Sequence, residues 1–522
     1  MLNNTFIDRF SEKISGVLEG FDRIVFKGAI LPLCHIPGVL SFLARRNLLN
    51  KDFKTWTKEQ SRSLIGHAEA YVKAERGEEI FGLKSWKIRK EQVAHEHQLN
   101  SAIESGLIGI WKCQESGRSY RSDFVKGGNP KLCFYQPPCN HLYFYFDHAD
   151  YGFMNVRLQT WFPYHIQICM NGREWLRRQL EKEGIGFLRK GNKFLHIDSI
   201  PRAQELLNSQ LETDWKELLD GFLPVVFPTM KDVLGENLSY YWTLWQSEWA
   251  SDIIFNTPED LRFLSGSLIR HAFITNTADQ VFRYLDHPLT RAGQPYKSFK
   301  GDLISRFNSF QDGVRVRHWI NKNSVKMYSE QNCLRIETTI NKPGEFKIHR
   351  HVQGEPADAP KQLRPMRKGI ADITVRTQVS QQINERFAAG LSEAEEKTPF
   401  KESLKNVTSS FTVNSRRVRA LDITGKDREL LAALADPAFL IQGLTNRMLR
   451  NKLKNTLWSK GRTDRQFSAR VTRHLKLLRS HGLIRKIPQK RAYHLTSKGR
   501  KLTLSLCALL NASTQQLMEM AA

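Results

Sequence analysis

The chain has 522 residues, 40% of them hydrophobic and 10% aromatic, which is ample for packed cores and excludes global disorder. Its length predicts roughly three to four domains. A formal net charge of +26 points to a polyanionic partner, with an acidic membrane surface as the weaker alternative, and about 25 Lys+Arg against 7 Asp+Glu from Lys401 onward place +18 of that charge in the last quarter.

The start, MLNNTFIDRFSEK, carries Asp8 and Glu12 where a secretory signal would need an apolar core. No apolar run is long enough to span a bilayer, so no membrane partner is expected. Seven cysteines, odd in number and without a CxxC pair, predict reduced thiols in a cytoplasmic protein. Cys133, Cys139 and His141 lie close together, but their spacing fits no standard zinc pattern.

In chain order, residues 1–104 form an N-terminal α/β segment. Ile7, Phe10, Ile14, Val17 and Leu18 predict an amphipathic helix over 1–20, FDRIVFKGA a strand ending at Gly28, and 37–50 and 54–76 two further helices. Asp22 heads that strand, where it is either a metal ligand or the partner of a nearby Arg.

Residues 105–200 form an αβ sheet domain. Leu142, Phe144 and Phe146 alternate with Tyr143 and Tyr145; Asn155, Arg157 and Gln159 alternate with Met154, Val156 and Leu158; His165 and Gln167 alternate with Ile166 and Ile168. Strict alternation predicts one buried and one polar face, with a helix over 172–184 and GIGFLRKGNKFLHI as a closing hairpin. Tyr143 and Tyr145 beside Arg157 would offer single-stranded DNA or RNA a stacking platform, unless the face is an ordinary outer surface or is covered.

Residues 201–350 form a second α+β region. In SYYWTLWQSEWASDIIF, Glu248 and Asp252 are four apart and share a face in either helix or strand. With Asp22 they are candidate ligands for Mg²⁺ or Mn²⁺, or else partners for the many Arg and Lys. GVRVRHWI, SVKMYS and LRIETTI read as consecutive strands that would gather Arg315, Arg317, Lys326, Tyr328, Arg335 and Glu337 on one side. A Tyr that attacks phosphate, a carboxylate that holds a metal and cations such as Lys326 and Arg335 are the parts of a strand-nicking site. The stretch KMYSEQ…LRIET, within 323–341, resembles the Y-x-K…R-x-E pattern of rolling-circle replication initiators. It departs from that pattern at Ser329 and Glu330, where a Lys is usual, and the chain lacks a His-hydrophobic-His triplet.

Residues 351–425 hold a proline-bearing arm to Lys368, a helix over 369–390 and a polar, basic linker with Arg416, Arg417 and Arg419. Residues 426–522 read as helix, strand, basic hairpin, strand, helix. Phe467, Val471, Leu475 and Leu478 form one helical stripe, Gly482 ends the helix, Pro488 to Arg491 make a hairpin tip, and Thr496 or Ser497 caps a last helix. HLKLLRSHGLIRK…YHLTSKGRK resembles the winged helix-turn-helix of MarR- and ArsR-type regulators. That resemblance implies a duplex DNA partner, with Arg465, Gln466, Arg470, Arg473 and Lys476 facing the major groove and Lys486, Lys490 and Arg491 on the wing. Winged helices also serve as protein-docking modules. The whole chain resembles an uncharacterised bacterial family associated with mobile elements, which implies no mechanism.

The expectation is therefore a multidomain α+β protein, with an N-terminal mixed α/β body holding two antiparallel sheets and a C-terminal winged helix. Three functions fit it: a DNA-binding replication initiator or transposition-associated protein with metal-dependent nicking, a winged-helix transcriptional regulator without catalysis, or an RNA-binding protein. Walker, Rossmann, G-x-S-x-G and H-E-x-x-H motifs are absent from the sequence, which disfavours nucleotide hydrolysis, dehydrogenase and common hydrolase chemistry.

Overall fold

The computed structural model describes all residues except 1–4, 86, 124–130, 276, 291–294, 297, 311–312, 353, 355, 357–358, 393–403, 406, 414, 436–438, 440–443, 488–491 and 516–522. The chain divides into two compact units. One comprises 1–274, 281–287 and 300–392, and the other 275–280, 288–299 and 393–522. The boundaries expected at 104, 200 and 350 therefore fall inside a single unit.

The first unit is built on a sheet of eleven strands among the described residues. Its strands are β1 (Ile14–Ala29), β2 (Phe81–Gly82), β3 (Gly106–Ser116), β6 (Pro138–His148), β7 (Gly152–Gln159), β8 (Ile166–Asn171), β11 (Tyr241–Phe255), β12 (Leu303–Phe310), β13 (Gly313–Ile320), β14 (Asn323–Glu330) and β15 (Cys333–Ile340). The hairpins β4 (Ser119–Asp123) with β5 (Lys131–Tyr135), and β9 (Phe187–Lys190) with β10 (Lys193–Ile197), stand outside it. The order is β12-β13-β14-β15-β11-β1-β8-β7-β6-β3-β2, antiparallel except for β2 beside β3.

This corrects the expectation of two separate antiparallel sheets. The alternating strands of 141–171 and those of 313–340 belong to one sheet because β11 pairs with β1 on one side and β15 on the other. The helix predicted over 1–20 is also corrected. Among the described residues of that stretch only Thr5–Arg9 is α-helical, Ser11–Lys13 makes a single 3-10 turn, and β1 begins at Ile14. Ile14, Val17 and Leu18 fit a helical wheel, but Leu18 meets Asp252 across the ladder, and a strand of sixteen residues extends through FDRIVFKGA. Helix α1 (Thr5–Arg9) precedes it; α2 (Ile36–Arg45) and α3 (Phe53–Arg76) follow close to their expected places.

One face of the sheet is the main core. Phe21, Ile24, Phe26, Phe144, Val156, Leu158, Ile168 and Trp249 are buried there with Val39, Phe42 and Leu64 of α2 and α3. The other face is polar and partly covered. Helix α4 (Lys90–Asn100) packs Ala94 against Trp111 and Tyr145 at one end. Helices α5 (Gly172–Lys182) and α6 (Ile200–Ser209), with the β9–β10 hairpin, cover the first half of β1 through Leu18, Leu176, Leu180, Phe194 and Leu207. A Cβ at Gly172 would stand 2.5 Å from the Phe21 carbonyl oxygen, so glycine is what lets α5 begin against β1. Helix α7 (Ile373–Leu391), matching the helix expected over 369–390, lies against β11 and β15, where Asn384 donates to the carbonyls of Trp249 and Ile336.

In the second unit, α8 (Arg428–Leu434), α9 (Asn446–Leu453), α10 (Asp464–Ser480) and α11 (Ser497–Asn511) surround Leu430, Leu449, Trp458, Phe467, Val471, Leu475, Leu478 and Leu483. The predicted stripe on α10 is buried, Thr463 and Gln466 form a capping box at its start, and Gly482 follows its end at φ +71°. Strands Ile484–Lys486 and Ala492–Leu495 pair, and Thr496 caps α11. The hairpin tip expected at 488–491, with Lys490 and Arg491, lies outside the described residues, as does Asp436-Pro437. No helix of the described residues is long and apolar enough to cross a membrane, and all seven cysteines are free thiols.

Candidate functional site

Strand register brings the two groups of candidate residues together on the polar face. Glu337 on β15 is opposite Ala250 of β11 and Lys326 of β14; Arg335 is opposite Asp252 and Tyr328. Because β11 also pairs with β1, Asp22 reaches the same place. One carboxylate oxygen each from Asp22, Glu248 and Glu337 lies within 4.8 Å of the others. Glu337 thus occupies the position expected of Asp252.

Asp252 is a correction. It is wholly buried, and its two oxygens accept from Arg335 Nε at 2.5 Å and Nη2 at 2.8 Å, with Arg173 Nη2 3.3 Å from Oδ2. Burial opposes its ionisation, but Arg173 and Arg335 hold its pKa below the usual aspartate value. Held by two guanidinium groups and lying outside the cluster in which the oxygens of Asp22, Glu248 and Glu337 meet, it is a structural counter-charge and not a metal ligand. Arg335, expected to stabilise developing charge, is likewise committed. Its Nη1 donates to Asp22 at 2.9 Å and its Nη2 to the Asn192 carbonyl. It positions Asp22 and has no free face for a substrate.

Lys326 is buried and donates to Glu337, with Glu248 3.6 Å away. Burial works against its ammonium, but the two carboxylates raise its pKa. One ammonium serves two carboxylates, Glu337 and Glu248, while Arg335 serves Asp22, and burial together with the charges of Glu248 and Asp22 pushes Glu337 upward. Thr339, registered opposite Glu248 on β11, is 2% exposed and its hydroxyl has no hydrogen-bond partner. Three hard oxygen donors beside an unsatisfied hydroxyl fit Mg²⁺ or Mn²⁺, with Lys326 supplying the counter-charge at the same point.

Tyr328 is half-buried two residues along β14 from Lys326, on the same face. Arg315 and Lys193 lie 5.8 and 5.7 Å from its ring centroid, and burial keeps the phenol protonated at neutral pH. Sequence reasoning misses the β9–β10 turn as part of this site. Asn192 there donates to Asp22 Oδ1 and accepts from Asn171, and Lys193 pairs with Glu330. Gly191-Asn192 is legible as a turn, but nothing local says which strand it rests on.

The aromatic platform is a second correction. Tyr145 is 1% exposed and meets Trp111 edge-on at 5.3 Å under α4, so its ring is not available for stacking. Tyr143 donates to Glu115 at 2.6 Å, and Arg157 donates to the same carboxylate at 2.7 Å.

In the second unit, Arg465, Gln466, Arg473 and Lys476 are exposed on α10, and Lys486 is exposed on its strand. Arg462, Arg465, Ala469, Thr472 and Arg473 line a shallow depression without an acidic residue. Two residues expected to face the groove are engaged within the unit. Gln466 Oε1 accepts from the Thr463 backbone in the capping box, and the Arg470 guanidinium lies 4.2 Å over the Trp458 ring, half-buried.

Comparisons of this chain with protein-family models, curated proteins and solved structures returned no match, so the reading of its function rests on its own residues.

Proposed function

We propose that this chain is a DNA-binding protein acting on mobile-element ends or replication origins, with a divalent-cation-dependent strand-nicking centre on the polar sheet face. The observation that carries the reading is the convergence of Asp22, Glu248 and Glu337 from three adjacent strands. These three would hold Mg²⁺ or Mn²⁺, which supplies charge to polarise a phosphodiester. Arg335 and Asn192 fix Asp22, and Gln246 donates to Glu248 at 3.0 Å, so the donors are held in place beforehand. Tyr328 is the nucleophile. Its oxygen attacks phosphorus as the P–O bond to the departing sugar oxygen breaks; the phenol proton passes to solvent water and the departing oxygen takes one from water, which leaves a phosphotyrosyl adduct and a free hydroxyl end.

The second unit supplies the duplex grip in this reading. The exposed cations of α10 and the order of helix, paired strands and capped helix support a winged-helix arrangement. Purified protein with Mg²⁺ or Mn²⁺ should nick supercoiled or single-stranded DNA, and Tyr328→Phe should abolish the covalent adduct. Absence of cleavage on any origin or element-end substrate removes the enzyme reading.

A transcriptional regulator without catalysis is the second reading. It is favoured by Lys326, which already neutralises Glu337. Footprinting separates the two: a regulator protects a promoter palindrome, an initiator an origin or element end.

A further inference from the structure

We propose that a cavity on the same polar face, beside β1, β7 and β8, binds a phosphate group, with Lys27 as its principal counter-charge. This deepens the nucleic-acid reading above and rests on it for the identity of the phosphate's carrier. The cavity encloses about 400 Å³, within the range of roughly 300–1,000 Å³ in which small-molecule ligands are held. Lys27, Arg118, Arg157, His165, Gln167 and Trp245 line it, and none of its lining residues is Asp or Glu.

Lys27 is half-buried, and among the described residues no carboxylate pairs with it. Its charged neighbours are Arg157 and Lys368, and burial together with these two cations lowers its pKa to about 8. The nearest compensation is the Trp245 ring, whose centroid is 3.5 Å from Nζ and which also lies 4.7 Å from Lys368 Nζ. A ring face compensates an ammonium far less than a carboxylate does. Arg157 shares Glu115 with Tyr143, and its buried Nε has no partner. Arg118 stacks on Phe134 at 4.4 Å. His165 and His141 add no charge, because burial first and the surrounding cations second push both down to about 4. They remain neutral hydrogen-bonding groups at physiological pH. Several cations around a walled space with no acid in the wall form an oxyanion site.

Position ties the cavity to the carboxylates. Arg23, Val25 and Lys27 alternate along β1 onto one face, registered with Asn171, Cys169 and Gln167 of β8. Arg23 Nε donates to Cys169 Sγ at 3.2 Å, and Asn171 contacts Asn192, which holds Asp22. A phosphodiester strand lying along this face would meet cations at one end and the three carboxylates at the other.

The shared ligand chemistry is a phosphate oxyanion, carried either by a nucleic-acid strand or by a free nucleotide. The test uses the full chain with Arg465→Ala and Arg473→Ala, so that the exposed face of α10 does not dominate binding. It is titrated by anisotropy with a labelled oligothymidine and, separately, with a fluorescent thymidine monophosphate. Lys27→Met should weaken binding at least tenfold while the melting temperature holds, and Lys27→Arg should stay within about twofold. Lys27-dependent binding of the oligonucleotide alone assigns the phosphate to a strand, and Lys27-dependent binding of both probes assigns it to a nucleotide. The proposal is overturned if the parent binds neither probe, or if folded Lys27→Met binds both as the parent does. Duplex binding by the unmodified chain reports on α10, and nicking reports on the carboxylates, so failure of either is seen separately.

Discussion

Arg335 and Asp252 are directly opposite each other on neighbouring strands and are joined by two hydrogen bonds, with neither exposed by more than 2%. The pair is a fork-to-fork contact that also anchors Asp22 on one side and Arg173 on the other. Removing one member strands buried charge. Asp252→Ala should cost about 3–5 kcal/mol in urea unfolding, and pairing it with Arg335→Met should cost less than the sum of the two single changes.

Metal affinity is the measure of the carboxylate group. Mn²⁺ titration followed by electron paramagnetic resonance should show one tight site that Glu248→Gln removes. Lys326→Met deletes the ammonium that competes with the cation and should tighten Mn²⁺ by about tenfold, equivalent to ~1.4 kcal/mol. If Lys326→Met unfolds the sheet and the parent binds no Mn²⁺, the group is an ion-pair network only.

Duplex affinity should depend on the exposed cations of α10. Arg465→Ala with Arg473→Ala should lower affinity and flatten the slope of log K against log salt by about 0.9 for each phosphate that is no longer neutralised. Arg470→Ala should act differently, since its guanidinium packs on Trp458. Its main readout is the melting of the second unit.

Acid stability has a local contributor in Glu345. It accepts from Asn321 at 2.8 Å and Asn323 at 3.0 Å, with Lys342 2.9 Å away. Burial opposes ionisation, yet the hydrogen bonds from His287, Lys342 and Asn321 bring its pKa down to about 2 from an ordinary 4.5. A depressed carboxylate stabilises the fold above its unfolded value and loses that contribution as pH falls through the folded one. Unfolding midpoints should therefore fall between pH 4.5 and 2, and Glu345→Gln should flatten that part of the profile.

Legibility in the sequence follows the range of the interactions. The alternation of β6, β7 and β8 and the stripe Phe467, Val471, Leu475, Leu478 are local patterns, and the strands and the helix they predict stand where expected. The first part of β1, up to residue 20, reads as a helix because Ile14, Val17 and Leu18 match a three-to-four spacing, while its true partner lies more than two hundred residues away. Asp22, Glu248 and Glu337 can each be named, but their meeting depends on β11 joining both halves of one sheet. Asp252 invites the wrong assignment because two residues four apart on a strand share a face, and only the opposite strand decides that Arg335 takes one of them. The burial of Tyr145 depends on α4, which carries little amphipathic pattern of its own.

The seam between β1 and β11 also constrains how the protein is made. Ile14 needs Phe255, and β11 in turn needs Cys333–Ile340 on its far side. At translation speeds of about 5–20 residues per second, the first long strand waits on the order of ten to fifty seconds for its mate. During that interval the nascent chain carries an unpaired edge beside Phe21 and Phe26, and its yield in cells should respond to chaperone supply and to slower or faster codons before residue 241.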